Sequence, residues 1–138
     1  MTNLSSNALR AILVIVGALI IYIGINVGFG GIRTLGLQGT TEFMEVTHEG
    51  RYLVQDSHVR FLGGVFGAMG LFFLLAAANL QKYQSALKVV FVLVFIGGLA
   101  RFSSPGIVFS PDVVGSLAVE IMLMPILYVW VSSVVKTV

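Results

Sequence analysis

Apolar residues fill four long stretches of this chain, and the polar residues between them mark the ends of helices. The first run begins near Ala8 and reaches Gly31, broken only by Asn26. About 20 apolar residues are enough for a helix to cross a hydrocarbon core of roughly 30 Å. The pattern therefore predicts a first span over residues 8–29. A secretion signal has a shorter apolar core that ends in a small-x-small cleavage site, so this run reads as a retained helix.

Asp56-Ser57 reads as an N-cap pair opening a second span over 58–79. A third begins near Ser85, is apolar from Val89 to Ala100, and occupies 87–103. Ser110-Pro111-Asp112 opens the fourth, 112–135, because a serine before a first-turn proline and an acid is a helix-start signal. Pro125 falls inside that last run and predicts a kink, with the Ile121 carbonyl deprived of its usual donor. The expected fold is an all-α membrane protein: four transmembrane helices in a compact bundle, one domain over residues 1–138, and a long first extracytoplasmic loop over 30–56. Within that loop, the stretch from Glu42 to Val54 suits either a short strand pair or an interfacial helix. Ile107, Val108 and Phe109, in the link before the fourth helix, are expected to dip back toward the interface.

Composition narrows the class further. The chain is 57% hydrophobic and 10% charged, whereas soluble domains carry about 25% charged residues. The absence of cysteine excludes disulfides, thiolate metal sites and thiol chemistry. A net charge of +2 with no basic stripe gives no reason to expect a nucleic-acid partner. Arg10, Lys82, Lys88 and Lys136 fall on one side of the predicted membrane, with no acid among them. Arg33 and Arg51 lie in the long loop on the other side, beside Glu42, Glu45, Glu49, Asp56 and Asp112. Counting cations alone, this predicts that both termini are cytoplasmic.

Against that apolar background Arg60, Arg101 and Glu120 stand out, because charge at membrane depth is costly and is kept where it is paired or meets a ligand. Measured from Lys88 and Lys136, Arg101 and Glu120 lie roughly 20 Å and 24 Å along their helices, hence at matched depth. Gly63, Gly64, Gly67 and Gly70 share a broad face with Arg60, and Gly97 and Gly98 precede Arg101 by one turn. Small residues let membrane helices approach closely, so both arginines are expected to point inward. Gly17, Gly24 and Gly28 form a similar stripe on the first helix, while the fourth offers Ser116, Glu120, Met124 and Tyr128. One reading is a structural ion pair between Glu120 and Arg101 or Arg60. Another is an anion or carbonyl site using the surplus cation, which Asp56 and Asp112 are placed to neutralise. A third is a proton relay through Glu120.

Other constellations are weaker. His48, His58, Glu45, Glu49 and Asp56 supply oxygen and nitrogen ligands, yet no dedicated metal spacing appears. The glycines from 63 to 70 lack the lysine-plus-hydroxyl ending of a phosphate loop, so they read as packing residues. No serine–histidine–acid arrangement can be argued. No metal, cofactor or catalytic residue is assigned, and Tyr128 and Trp130 read as interface anchors or packing residues.

Three motifs carry a family resemblance: Asp56-Ser57-His58-Val59-Arg60-Phe61-Leu62-Gly63-Gly64, then Gly97-Gly98-Leu99-Ala100-Arg101, then Glu120 with Pro125 and Trp130. In this order they resemble a bacterial four-helix membrane family catalogued as domain of unknown function 4345. The resemblance runs from the first helix to Trp130. It implies four helices and a motif-bearing polar cluster of Asp56, His58, Arg60, Arg101 and Glu120, but no activity; the expected location is a bacterial inner membrane. The function expected first is a non-enzymatic binding or accessory subunit that holds a lipid- or quinone-like molecule. Its expected partners are membrane lipids and a homo-oligomer or larger membrane complex. A small transporter or proton-coupled carrier built on Glu120 is the alternative. An intramembrane enzyme using Asp56 and His58 comes third.

Overall fold

A computed structural model describes residues 3–34, 45–106 and 109–134. Among these residues the fold is all-α, with four helical runs and no strand. The runs are α1 (Asn3–Gly30), α2 (Glu49–Ala78), α3 (Leu80–Ala100), and a last run made of α4 (Pro111–Leu117), a π-helical stretch (Ala118–Leu123) and α5 (Met124–Val134). Single 3-10 turns extend α1 (Gly31–Arg33) and α3 (Arg101–Ser103). All four runs are long and apolar enough to cross a membrane.

Helix ends differ from the expected ones at three places, the first being α1, which begins at Asn3 rather than near Ala8. The second helix begins at Glu49 rather than at His58, so Asp56 is not a cap but an interior residue. Nothing in Glu49–Ser57 stops a helix, and an acid in the first turn complements the dipole. Between Glu49 and Val54, therefore, helix replaces the strand alternative; the expected loop residues 35–44 lie outside the described residues. The link predicted at Gln81–Gln84 is also displaced. Asn79 alone separates α2 from α3, and its side chain accepts a hydrogen bond from the Lys82 N–H at 3.0 Å. An asparagine N-cap lets a helix restart after a single residue. The fourth start is where Ser110-Pro111 placed it, with the Ser110 hydroxyl accepting from Val113 N–H. Ile107 and Val108 fall outside the described residues, and Phe109 is exposed.

Large apolar side chains cover the outer faces: Ile15, Phe61, Leu93 and Met122 are 67%, 69%, 61% and 65% exposed. That much outward apolar surface marks a protein that contacts something other than water. The chain divides into two compact units, Ala11–Ala77 and Met1–Arg10 with Ala78–Val138.

In Ala11–Ala77, α1 and α2 meet backbone to backbone. A Cβ added at Gly17 would lie 3.0 Å from the Gly70 carbonyl oxygen, one at Gly24 2.6 Å from Gly67 Cα, and one at Gly63 2.7 Å from Gly28 Cα. Residue numbers rise on one helix as they fall on the other, so the pair is antiparallel. Buried Leu13, Ile20, Phe73, Ala76 and Ala77 fill the rest. Small residues let two helices approach this closely, and dispersion along the contact then helps hold them together. Gly64 is the exception on that face, being exposed with nothing within 4 Å of an added Cβ.

In the other unit α3 packs on α5. Leu80, Gln84, Leu87, Phe91 and Gly98 form the buried stripe of α3, and Met124, Leu127 and Val131 that of α5. Before Pro125 the helix widens, and Met124 N–H donates to the Val119 carbonyl five residues back. Proline has no N–H to give Ile121, and a π turn is one way a helix absorbs that loss. The extra residue also rotates the remainder of the helix. The expected stripe Ser116, Glu120, Met124, Tyr128 is thus broken, with Met124 buried and Tyr128 exposed.

Candidate functional site

Two ion pairs occur among the described residues, and each has its own surroundings. Arg101, in the 3-10 turn that ends α3, meets Glu120, in the π-helical stretch. Arg101 Nε donates to Glu120 Oε2 and Nη2 to Oε1, both at 2.7 Å. This is the two-pronged guanidinium–carboxylate fork, which fixes orientation as well as charge. Gly98 makes it possible. A Cβ there would sit 2.8 Å from Glu120 Cβ and 3.3 Å from Oε2, so only a glycine lets the carboxylate lie against α3. Gly97 does not share that role; it is exposed, with nothing within 4 Å.

The second pair, in Ala11–Ala77, finishes a helix. Arg60 Nε donates to Asp56 Oδ2 at 2.6 Å, one turn along α2. The same guanidinium donates through Nη1 to the Phe29 carbonyl and through Nη2 to the Gly30 carbonyl at 3.4 Å. Asp56 Oδ1 accepts from Ile32 N–H at 2.9 Å, just past Gly31, whose φ is +70°. Thr34 Oγ1 donates to the Asn26 and Gly31 carbonyls, each at 3.1 Å. The last carbonyls of a helix lack intrahelical donors, and a cation there also suits the dipole. Asp56, Arg60 and Thr34 thus form a clamp on the C-terminus of α1, around a left-handed glycine.

An exposed i,i+4 pair contributes only about 0.3–0.5 kcal/mol. The clamp should exceed that, because Asp56 is buried and holds a backbone N–H as well. Asp56→Ala is expected to destabilise the detergent-solubilised protein by about 1–3 kcal/mol, the cost of leaving the buried Ile32 N–H without its acceptor. Gly31→Ala should cost about 1–2 kcal/mol from handedness alone, and more because its Cβ would meet the Asp56 carboxylate. A thermal midpoint unchanged by either substitution would rule the clamp out.

Of the five residues expected in one polar cluster, four form two pairs, each within its own compact unit. Asp56 and Arg60 belong to the α1 clamp, Arg101 and Glu120 to the fork, and His58 is exposed on α2. Glu120 takes Arg101 rather than Arg60. The inward direction expected of the arginines needs correcting: their side chains are 42% and 41% exposed, whereas those of Asp56 and Glu120 are 11% and 12% exposed. A long side chain can reach outward while its short acidic partner stays against the helix backbone. Among the described residues, no three His, Asp or Glu side chains gather as metal ligands. Sequence reasoning missed Phe29, Gly30 and Ile32, which act through backbone atoms. The signal available was Gly30-Gly31 directly after an apolar run, a helix-stop pattern.

A family model described as a domain of unknown function, DUF4345, matches residues 8–131. The chain belongs to the DUF4345 family. No curated protein and no solved structure matches it. Both ion pairs, the α1 clamp and the π-helical stretch of this DUF4345 chain lie within the matched residues.

Proposed function

We propose that this is a small integral membrane protein acting as a non-enzymatic binding or accessory subunit, whose fork holds the polar end of a lipid- or quinone-like molecule. The observation that carries the reading is the asymmetry of the Arg101–Glu120 pair: a covered carboxylate beside a guanidinium that is 41% exposed. Glu120 takes Nε and Nη2, and among the described residues the hydrogens of Nη1 remain for an acceptor. At membrane depth an open guanidinium edge calls for one. The pair is neutral as a whole, which favours a ketone or ester carbonyl over a free anion. The surplus cation that argued for an anion is absent, since Arg60 is paired with Asp56.

A proton-coupled carrier using Glu120 is the second reading. The π-helical stretch around Glu120 favours it, because such bulges are frequent at functional sites. Enzyme chemistry at Asp56 and His58 has less support, because both oxygens of Asp56 are engaged in the clamp.

Native mass spectrometry of gently extracted protein tests the first reading. A quinone or lipid adduct is expected on the native chain and should be lost in Arg101→Gln; no adduct on the native chain would overturn the binding role. Residual pH-dependent flux in Glu120→Gln proteoliposomes equal to the native level would remove the carrier. In the same reading the helices cross the inner membrane with both termini cytoplasmic. The chain has no cysteine, so single-cysteine variants report topology directly. In intact spheroplasts an impermeant maleimide should label Ser104→Cys and spare Gln81→Cys. The reverse pattern would invert the orientation.

A further inference from the structure

We infer that the end of α3 remote from Arg101 is a binding collar for anionic phospholipid headgroups, built on Lys82 and Lys88 with an aromatic rim. All its residues lie in one compact unit, Met1–Arg10 with Ala78–Val138. Lys82 Nζ stands 5.1 Å from the centre of the Tyr83 ring, and Lys88 Nζ stands 5.8 Å from that of Tyr128 on α5. Each ammonium thus has an aromatic wall on one side, a favourable but weakly hydrating neighbour. Its remaining N–H donors are open to an anion on the other.

The rim is tied in place by two hydrogen bonds between chain segments far apart in sequence. Trp130 Nε1 donates to Ser5 Oγ at 2.9 Å, and Arg10 Nη1 donates to the Ala78 carbonyl at 2.9 Å. These bonds bring the beginning of α1, the turn at Ala78 and α5 to the same end of the unit as Lys82 and Lys88. Arg10 adds a third cation there. No Asp or Glu occurs in residues 1–10, 78–100 or 121–138, so no carboxylate from those segments competes with a phosphate. Glu120, the acid nearest in sequence, is held by Arg101 at the opposite end of α3.

Tyrosine and tryptophan favour the headgroup level of a bilayer, and a basic residue near an anionic surface attracts it with roughly 1 kcal/mol. Lys88 is six residues deeper than Lys82, roughly 9 Å along the helix axis. Lys88 Nζ lies over the Tyr128 ring of α5, and a lysine stem is long enough to carry an ammonium from that depth toward the interface. The two ammonium groups therefore meet headgroups on different flanks of α3, which suits a ring of lipids better than one free phosphate. This inference rests on the membrane-spanning reading and is independent of the ligand proposed for the fork.

The test uses the full chain reconstituted into phosphatidylcholine vesicles with and without phosphatidylglycerol. The lipid retained after gentle extraction is then measured by native mass spectrometry. Phosphatidylglycerol should be enriched over phosphatidylcholine, and Lys82→Gln with Lys88→Gln should reduce the enrichment about 25-fold, about fivefold for each charge of roughly 1 kcal/mol. Arg51→Gln, on an exposed residue of α2, should leave it unchanged. High salt should weaken the enrichment in the native chain, which covers the case where the double variant does not fold. Competition by millimolar inorganic phosphate that displaces the lipid would assign a free-phosphate site and overturn the lipid collar. So would equal retention of both lipids, or enrichment unaffected by the substitutions. A chain that fails to enter either vesicle would instead overturn the membrane reading.

Discussion

Arg101→Ala is expected to destabilise the reconstituted protein by about 3–5 kcal/mol, the cost of leaving a covered carboxylate without its cation. Glu120 is 12% exposed and lies against Gly98, so it has little water to turn to once both fork bonds are lost. Glu120→Ala should cost less, because the Arg101 side chain is already 41% exposed and can swing away. The double substitution should recover part of the loss, giving a coupling of a few kcal/mol in a double-mutant cycle. Reversible unfolding in mixed micelles would measure it. Simple additivity of the two single costs would mean that the fork contributes nothing. The cycle also bears on function. A ligand on Nη1 would make Arg101→Ala lose binding as well as stability, whereas Glu120→Ala would mainly lose orientation of the guanidinium.

The second large effect is expected where α1 and α2 touch. Gly24→Ala would place a methyl 2.6 Å from Gly67 Cα and 2.9 Å from the Gly63 carbonyl oxygen. Those are backbone atoms, so no side chain can turn aside and the helices must separate along their contact. Overpacking typically costs about 1–3 kcal/mol, and this case belongs at the upper end. Gly64→Ala is the matched control. Its Cβ meets nothing within 4 Å, so the intrinsic helix preference of alanine should stabilise by up to about 1 kcal/mol. Equal effects of the two substitutions on the melting midpoint would deny that α1 and α2 pack through glycine.

These contrasts show why neighbouring glycines cannot be treated as one motif. Gly63 and Gly64 are adjacent, as are Gly97 and Gly98, yet in each couple one glycine is in tight contact and the other is open. A helix turns by about 100° per residue, so adjacent positions face different neighbours. The pattern Gly-Gly marks where helices come close. Which glycine is needed depends on the partner helix.

Four apolar runs, the absence of cysteine and the cation asymmetry were legible without coordinates, because span length and composition are local properties of the chain. Ser110-Pro111 as a helix start and the disturbance before Pro125 were legible for the same reason: capping and a missing N–H act within a few residues. The pairing of Glu120 with Arg101 was partly legible from matched depth along two helices. Its alternative, Arg60, could not be discarded until α2 was seen to start at Glu49. That start places Asp56 one helical turn before Arg60 rather than at a cap, and so gives Arg60 its own acid. The clamp on the end of α1 was marked in the sequence only by a helix stop at Gly30-Gly31, and not by the groups that meet there. Its acceptors are the carbonyls of Phe29 and Gly30 and its donor the N–H of Ile32, groups that every residue carries. Backbone atoms leave no mark in a sequence, and only the packing of α2 on α1 decides which of them meets a charge.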